Sequence, residues 1–302
     1  MDRHIALGFF DGVHRGHGAL LENIAAAAKA SGGRACAMTF DTHPEKVISG
    51  RFPPLLGNVS GRTELMRRLY GIEEVIVLPF DETLMRMSWD VFVRQVLFDK
   101  FKAAHIVVGS DFRFGNKGNG SAADLRSACL ELGVKCDIIQ KIAIDGITVS
   151  STYVRELVGR GDMERAELFL GHPHTLYGKV CAGRHIGSRH GFPTANLDIG
   201  EDIIVPARGV YASFFALAGE DLARPSVTYI GARPTVDKNG TVKAETRVFD
   251  FNGDLYGKDA RVELLAFLRS EQKFESLDAL GRQVKLDTAR CEAEHKKRGV
   301  SP

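Results

Sequence analysis

Gly8-Phe9-Phe10-Asp11-Gly12-Val13-His14-Arg15-Gly16-His17 decides how the rest of this chain is read. It leaves a short apolar run, His4–Phe9, that has the character of a strand, and it leads into Ala19–Lys29, whose alanines and leucines predict a helix. Gly12 and Gly16 permit a tight turn and a close backbone approach. A helix beginning near His17 points unpaired N–H groups and the positive end of its dipole at that turn, which favours phosphate. His14 and His17 stand three residues apart and are split by a glycine. Both can face a phosphate held there and donate to oxygens that gain charge during a transfer. A pair so spaced can also be metal ligands or plain polar loop residues. No third ligand with zinc-like spacing stands nearby, and a turn after the first strand of an α/β domain is the usual ligand crevice.

The segments that follow supply the rest of such a domain. Arg34–Phe40, Glu74–Leu78, His105–Gly109 and Lys135–Ile139 read as strands; Thr63–Tyr70, Trp89–Asp99 and Ala122–Leu132 read as helices between them. Alternation of this kind predicts a parallel sheet with helical crossovers, a doubly wound α/β domain. After Val149 the pattern changes. Two short helices, Val154–Arg160 and Met163–Leu170, precede a break at Gly171-His172-Pro173. Beyond it the clearest strands are Val210–Leu217, Ser226–Ile230, Ala244–Phe249 and Arg261–Phe267. Little helix separates them, which predicts a small antiparallel β-barrel. Ser276–His295 closes the chain as a helix, with Leu277, Leu280, Val284 and Ala289 as its expected buried stripe. The expected division is therefore 1–171 and 172–302.

Composition narrows the partners. Forty basic and 38 acidic residues leave a net charge of +2, so nothing points to nucleic acid or a membrane surface, and an anion site must come from local geometry. No apolar run approaches the ~18 residues of a membrane span. No charged segment followed by an apolar one precedes the first strand, so no signal peptide is expected. Cys36, Cys129, Cys136, Cys181 and Cys291 are odd in number and form no CxxC pair. That fits reduced thiols in a cytoplasmic protein. The sequence carries no signal for oligomeric state.

Further motifs carry chemistry. Ser151 and Thr152 stand just before a helix, as capping hydroxyls do, and Arg155 is one turn on. Such groups can simply cap the helix, or can also clamp a triphosphate. The stretch Gly183-Arg184-His185-Ile186-Gly187-Ser188-Arg189-His190-Gly191-Phe192-Pro193-Thr194-Ala195-Asn196 is glycine-rich and basic, suited to wrapping phosphates with backbone N–H groups. Thr194 and Asn196 alternate along an extended segment and so share a face. A hydroxyl and an amide oxygen there make hard ligands for the Mg²⁺ that travels with a nucleotide. Lys243, Glu245 and Arg247 likewise share a face of a strand, where Glu245 can be a surface charge paired across the sheet.

Taken in order, these strings resemble one family. Gly-x-Phe-Asp-Gly-Val-His-x-Gly-His is similar to the signature of the HxGH nucleotidyltransferases, in the spelling of the bacterial bifunctional riboflavin kinase/FAD synthetases. Thr39-Phe40-Asp41-Thr42-His43-Pro44, Val107-Val108-Gly109-Ser110-Asp111-Phe112-Arg113-Phe114-Gly115 and Val149-Ser150-Ser151-Thr152-Tyr153-Val154-Arg155 resemble its later motifs. Gly191-Phe192-Pro193-Thr194-Ala195-Asn196, Gly231-Ala232-Arg233-Pro234-Thr235, Ala244-Glu245-Thr246-Arg247 and Phe267-Leu268-Arg269 resemble its riboflavin kinase module. Thr42, Ser121, Ser188 and Arg247 depart from the usual spelling.

The resemblance implies an HxGH-type Rossmann-like domain followed by a riboflavin kinase-like β-barrel with a C-terminal helix. It implies ATP as co-substrate with Mg²⁺, riboflavin phosphorylated to FMN, and FMN adenylylated to FAD. Its implied ATP-binding residues are Gly8, Phe9, Asp11, Gly12, Ser150, Ser151, Thr152 and Arg155 in the first half, with Gly183, Gly191, Pro193, Thr194 and Asn196 in the second. Asp111, Phe112 and Arg269 would meet flavin, and Glu245 would be the kinase base. A riboflavin kinase with a weak or inactive first domain, and a flavin or nucleotide sensor without turnover, are the alternative expectations.

Overall fold

The computed structural model describes residues 2–181, 194–232, 242–251 and 253–300, with Leu277 by its backbone alone. Gly183, Gly191 and Pro193 lie outside the described residues. The chain divides into two compact units, Met1–Pro53 with Arg62–Ser150, and Pro54–Gly61 with Ser151–Pro302.

In the first unit, β1 (Arg3–Leu7), β2 (Arg34–Phe40), β3 (Glu74–Leu78), β4 (Ala103–Gly109) and a strand at Lys135–Ile139 form one sheet. Every pairing is parallel. The order is β3, β2, β1, β4, then Lys135–Ile139. Winding therefore reverses between β1 and β4, and their carboxyl ends flank the crevice where α/β sheets bind ligands. The strands are apolar because helices cover both faces: Ile5, Leu7, Met38, Ile106 and Val108 share one core with Leu97 and Leu125.

The crossovers are α1 (Arg15–Ser31), α2 (Pro44–Ser49), α3 (Val59–Tyr70), α4 (Glu82–Arg86) and α5 (Trp89–Val91). α5 continues as a wide-turned π-helix over Phe92–Lys100, where a plain helix was expected. Neither α2 nor α4 was expected. Each is too short to show a helical period, and each begins at a cap, His43 Nδ1 on the Glu45 N–H and Asp81 on the Leu84 N–H. Two-stranded hairpins β5 (Arg113–Phe114) with β6 (Gly120–Ser121), and β8 (Ala143–Ile144) with β9 (Ile147–Thr148), flank α6 (Ala122–Glu131) and β7 (Lys135–Ile139).

The second unit begins with α7 (Ser151–Arg160) and α8 (Met163–Leu170). Among the described residues six antiparallel strands follow: β10 (His174–Cys181), β11 (Thr194–Asp198), β12 (Gly209–Leu217), β13 (Arg224–Ala232), β14 (Val242–Val248) and β15 (Asp259–Ser270). They close in the order β10-β11-β14-β13-β12-β15, which leaves no open edge. Along β14, Ala244, Thr246 and Val248 are buried while Glu245 and Arg247 are less so, the alternation of a barrel wall. The interior carries a chain of hydroxyls, Ser226 to Ser213 at 2.8 Å, Ser213 to Thr228 at 2.8 Å and Thr228 to Thr246 at 2.9 Å.

The closing helix, α9 (Leu277–Lys297), corrects the expected stripe. Leu280 is 39% exposed and Ala289 is exposed, Val284 is half-buried, and the Leu277 side chain lies outside the described residues. The buried positions are Asp287, Cys291 and His295, four apart along the helix. The seam is polar because the barrel offers polar partners. Asp287 accepts from Arg269 at 2.8–3.0 Å, Cys291 donates to the Ser226 carbonyl, and His295 Nε2 meets the Ser213 carbonyl at 2.8 Å.

Asp287→Ala leaves the Arg269 guanidinium, 13% exposed, without its carboxylate. The expected cost is about 3 kcal/mol, read as a lower urea midpoint for the barrel unit. A midpoint within error of the parent would show that the pair holds nothing together.

Candidate active sites

The turn after β1 is built from left-handed backbone. Phe10 (φ 57°), Gly12 (φ 75°) and Val13 (φ 45°) all have positive φ, and both Phe10 and Val13 are fully buried. For a β-branched valine this is strain, of a kind that persists where surroundings over-determine the backbone. Thr39 Oγ1 on β2 donates to the Phe9 carbonyl at 2.9 Å and holds the entry to the turn.

His14 ends the turn as the cap of α1, its Nδ1 accepting the His17 N–H at 3.2 Å. That bond leaves Nδ1 without a proton, so the ring's N–H is on Nε2. The His14 and His17 rings stack at 3.6 Å and 9°. Burial, then His14 and Arg62, push His17 well below the usual imidazole range, so it is neutral at physiological pH. Its Nδ1 is buried without a partner. A Cβ on Gly16 would lie 3.1 Å from the His14 ring and 3.9 Å from the Val149 carbonyl. The segment leading to Ser150 thus passes beside the start of α1. Gly8 and Asp11 are in the same turn, Asp11 being 3% exposed.

Nothing in the sequence singled out Arg62, yet it is 1% exposed in the first turn of α3. Its guanidinium lies 4.3 Å over the Phe9 ring, and Nη2 donates to the Phe40 carbonyl. Burial pushes its pKa down to about 10, opposed by Asp11 and Asp41, so it remains charged at neutral pH. The available signal was spacing: Leu65 and Met66, three and four residues on, put Arg62 on the buried helix face. Phe9 also packs edge-on against His43 at 4.7 Å.

Phe40 leads into a cavity of about 480 Å³ lined by Phe80, Met87, Phe92, Phe112 and Phe114 among others. Phe112 and Phe114 are near-parallel, 5.3 Å apart. The volume and aromatic lining suit a planar, drug-sized ligand. Of the two flavin candidates in this unit, Phe112 lines the cavity, whereas Asp111 is exposed and pairs with Lys141 at 2.9 Å. Ser121 caps α6 in a reciprocal box with Asp124.

In the second unit, Ser151 opens α7, Thr152 is exposed in its first turn, and Arg155 follows one turn later. On the barrel, register sets a row across three strands. Asn196 pairs with Glu245, and Glu245 pairs with Tyr229. Paired residues share a face, so these three side chains stand side by side outside the barrel wall. Thr194 pairs with Arg247 in the next row of the same face. Tyr229, also missed from sequence, donates its hydroxyl to Glu271. Burial and the carboxylates of Glu271 and Glu245 raise its pKa. Arg269 is bound by Asp287 and also donates to the Ser270 carbonyl. Thr194 borders a small hollow with Phe251, Gly253 and Tyr256.

Comparison with known proteins agrees with this two-part layout. The FAD synthetase family matches residues 1–153 and the riboflavin kinase family matches residues 170–295. A bifunctional riboflavin kinase/FMN adenylyltransferase from Pseudomonas fluorescens is 34% identical over 292 residues, covering 95% of this chain and 91% of the relative. One from Listeria monocytogenes is 32% identical over 289 residues, covering 95% and 90%. A crystal structure described as a macrolide-efflux protein from Streptococcus pneumoniae superposes with a TM-score of 0.78 at 28% identity, over 95% of this chain and 93% of that one. Among the described residues of the present chain, no helix is long and apolar enough to cross a membrane.

The state of His17 has a measurable sign. Its folded pKa lies well below the ordinary imidazole value of about 6.5, so below that pH the unfolded chain binds a proton that the native chain does not. Stability of the first unit therefore falls as pH drops through about 6.5. Between pH 7.5 and 5.5, His17→Gln should lose roughly 1 kcal/mol less than the parent in urea unfolding. Equal losses would mean that His17 protonates as readily in the folded chain.

Proposed function

The chain belongs to the family of bifunctional riboflavin kinase/FMN adenylyltransferases, and from that premise we propose that it makes FMN from riboflavin and FAD from FMN, with ATP consumed in each step. The observation that carries the adenylyl half is the joining, through Phe9, Phe40 and Arg62, of a phosphate-ready helix start to an aromatic cavity. The aromatic cavity takes the flavin ring, with Phe112 against it, and Asp111 is the second flavin-binding residue of this unit. Gly8, Phe9, Asp11 and Gly12 shape the turn that receives ATP. His14 and His17 donate to its phosphates, and Ser150, Ser151, Thr152 and Arg155 hold the departing pyrophosphate. An oxygen of the FMN phosphate attacks the α-phosphorus as the bond to pyrophosphate breaks. Such a transfer needs positioning and charge stabilisation more than covalent help.

The kinase half rests on the row Asn196, Glu245, Tyr229. Glu245 accepts the proton of the ribityl 5′-hydroxyl as that oxygen takes the γ-phosphoryl group of ATP. A carboxylate is a weak base, which suffices when the transition state is loose and the proton leaves late. The hydroxyl of Thr194 and the amide oxygen of Asn196 are a donor set that fits Mg²⁺, an ion that usually keeps waters and substrate phosphates as its other ligands. Bound with the nucleotide, such an ion would supply positive charge against the transferring phosphate. Gly183, Gly191 and Pro193 belong to the glycine-rich, basic stretch whose composition suits those phosphates, and Arg269 is the flavin-binding residue of this unit. Residues 1–171 and 172–302 divide the two reactions between them. Substrates are small molecules, and a cytoplasmic site of action fits the five unbridged thiols.

A chromatographic assay with ATP and Mg²⁺ separates the two activities. His17→Ala should abolish FAD formation from FMN and spare FMN formation from riboflavin; equal loss of both would overturn the two-site reading. Glu245→Gln should lower FMN formation at least 10²-fold and leave FAD formation from supplied FMN intact. FMN without FAD from the parent protein would make it a kinase alone, and neither product would make it a sensor.

A further inference from the structure

Arg62 is the residue that the two-histidine signature leaves unexplained. A guanidinium buried to 1% exposure is costly unless its nitrogens are hydrogen-bonded. Here one nitrogen, Nη2, meets the Phe40 carbonyl, while Nε and Nη1 are buried with no partner. The Phe9 ring lies 4.3 Å beneath it. Phe9 belongs to the turn after β1, and the charge of Arg62 is felt at His17, whose own Nδ1 is also buried without a partner. Three unpartnered polar atoms therefore cluster where the helix start favours an anion. Asp11 and Asp41 are near enough to favour the charged arginine, yet they do not complete its hydrogen bonds.

A polyanion with several acceptor oxygens is the chemistry that satisfies such a cluster. A neutral imidazole such as His17 supplies directed hydrogen bonds but no net charge. Adenylyl transfer builds negative charge on the leaving pyrophosphate as the α–β bond breaks, and a fixed, preorganised cation is the group that answers it. Arginine keeps its charge in such a place where lysine gives it up more readily.

We propose that Arg62 is a catalytic residue of adenylyl transfer, its Nε and Nη1 hydrogen-bonding the phosphate oxygens of ATP that become the leaving pyrophosphate. The assignment rests on the adenylyltransferase reading of the first unit and adds a residue to it. The turn over Phe9 and the bond to Phe40 then serve to aim the guanidinium rather than to neutralise it.

The test uses the full chain with FMN, ATP and Mg²⁺, and inorganic pyrophosphate as the probe of the phosphate subsite. Arg62→Gln should lower kcat for FAD formation about 10²–10³-fold and weaken competition by pyrophosphate against ATP at least tenfold. FMN formation by the same preparations should equal that of the parent. Arg62→Lys, which keeps a cation over Phe9 but loses the fork, should refold the site and still fall at least tenfold in kcat. Parent-like kcat and pyrophosphate competition in either variant would overturn the assignment. So would a Lys variant in which activity returns in step with thermal stability, since that is the signature of a purely structural cation. A parent protein that forms no FAD from FMN would fell the adenylyltransferase reading itself, an outcome visible before any variant is made.

Discussion

The reversal of winding between β1 and β4 is the constraint on which the first unit depends. Parallel strands force their crossovers over the faces of the sheet, so only at a reversal do two neighbouring carboxyl ends stand uncovered. The chain leaving β1 must turn at once into α1 without filling that gap. It does so with left-handed backbone at Phe10, Gly12 and Val13, each non-glycine position costing on the order of 1–3 kcal/mol. The buried Phe10 ring, the Thr39 bond to the Phe9 carbonyl and the His14 cap hold the strained path. The result is a helix start whose donors face the crevice, with two stacked imidazoles beside them.

The barrel meets its own constraint differently. Closing six strands removes the exposed edges, and the hydrophobic interior fixes which residues point outward. On β14 burial alternates, with Ala244 and Thr246 buried and Glu245 on the other face; on β11 Ala195, Asn196 and Leu197 are all buried, and it is the pairing of Asn196 with Glu245 that puts the amide on the carboxylate's face. The row Asn196, Glu245, Tyr229 is thus a by-product of interior packing: a one-residue slip of β14 would turn the carboxylate inward. Chemistry and stability are written on opposite faces of the same strands.

Much of this was legible in the sequence. β2, β3, β7 and α8 begin and end where their apolar runs do, because strands or helices buried on the core side are bounded sharply by polar and glycine residues. The signature turn was legible as well, since its glycines and histidines have few other uses in combination. What escaped was tertiary. β10 and β11 have few β-branched residues to announce them, and only closure of the ring makes them strands. The α9 stripe was sought among apolar residues, whereas the barrel offers that helix a carbonyl row and an arginine. Arg62 looked like one more cation on a charged helix; its burial is set by Phe9 and Phe40, 53 and 22 residues away in the chain. The Arg269 carboxylate partner, 18 residues on in α9, was likewise invisible.

The hydroxyl chain inside the barrel runs Ser226, Ser213, Thr228, Thr246. Each hydroxyl can give one proton and accept two, so the three links hold whether the dipoles point from Ser226 toward Thr246 or the reverse, and only the end that sends its proton outside the chain changes. An aliphatic filling would have one arrangement and no dipole to turn. Thr246 lies directly between Glu245 and Arg247 along β14. Because either oxygen of each pair can be the donor, the proton order along the chain can be reversed by rotating hydroxyls alone, with every backbone atom in place. The barrel wall is in that sense a rigid frame around a reversible electrical polarity.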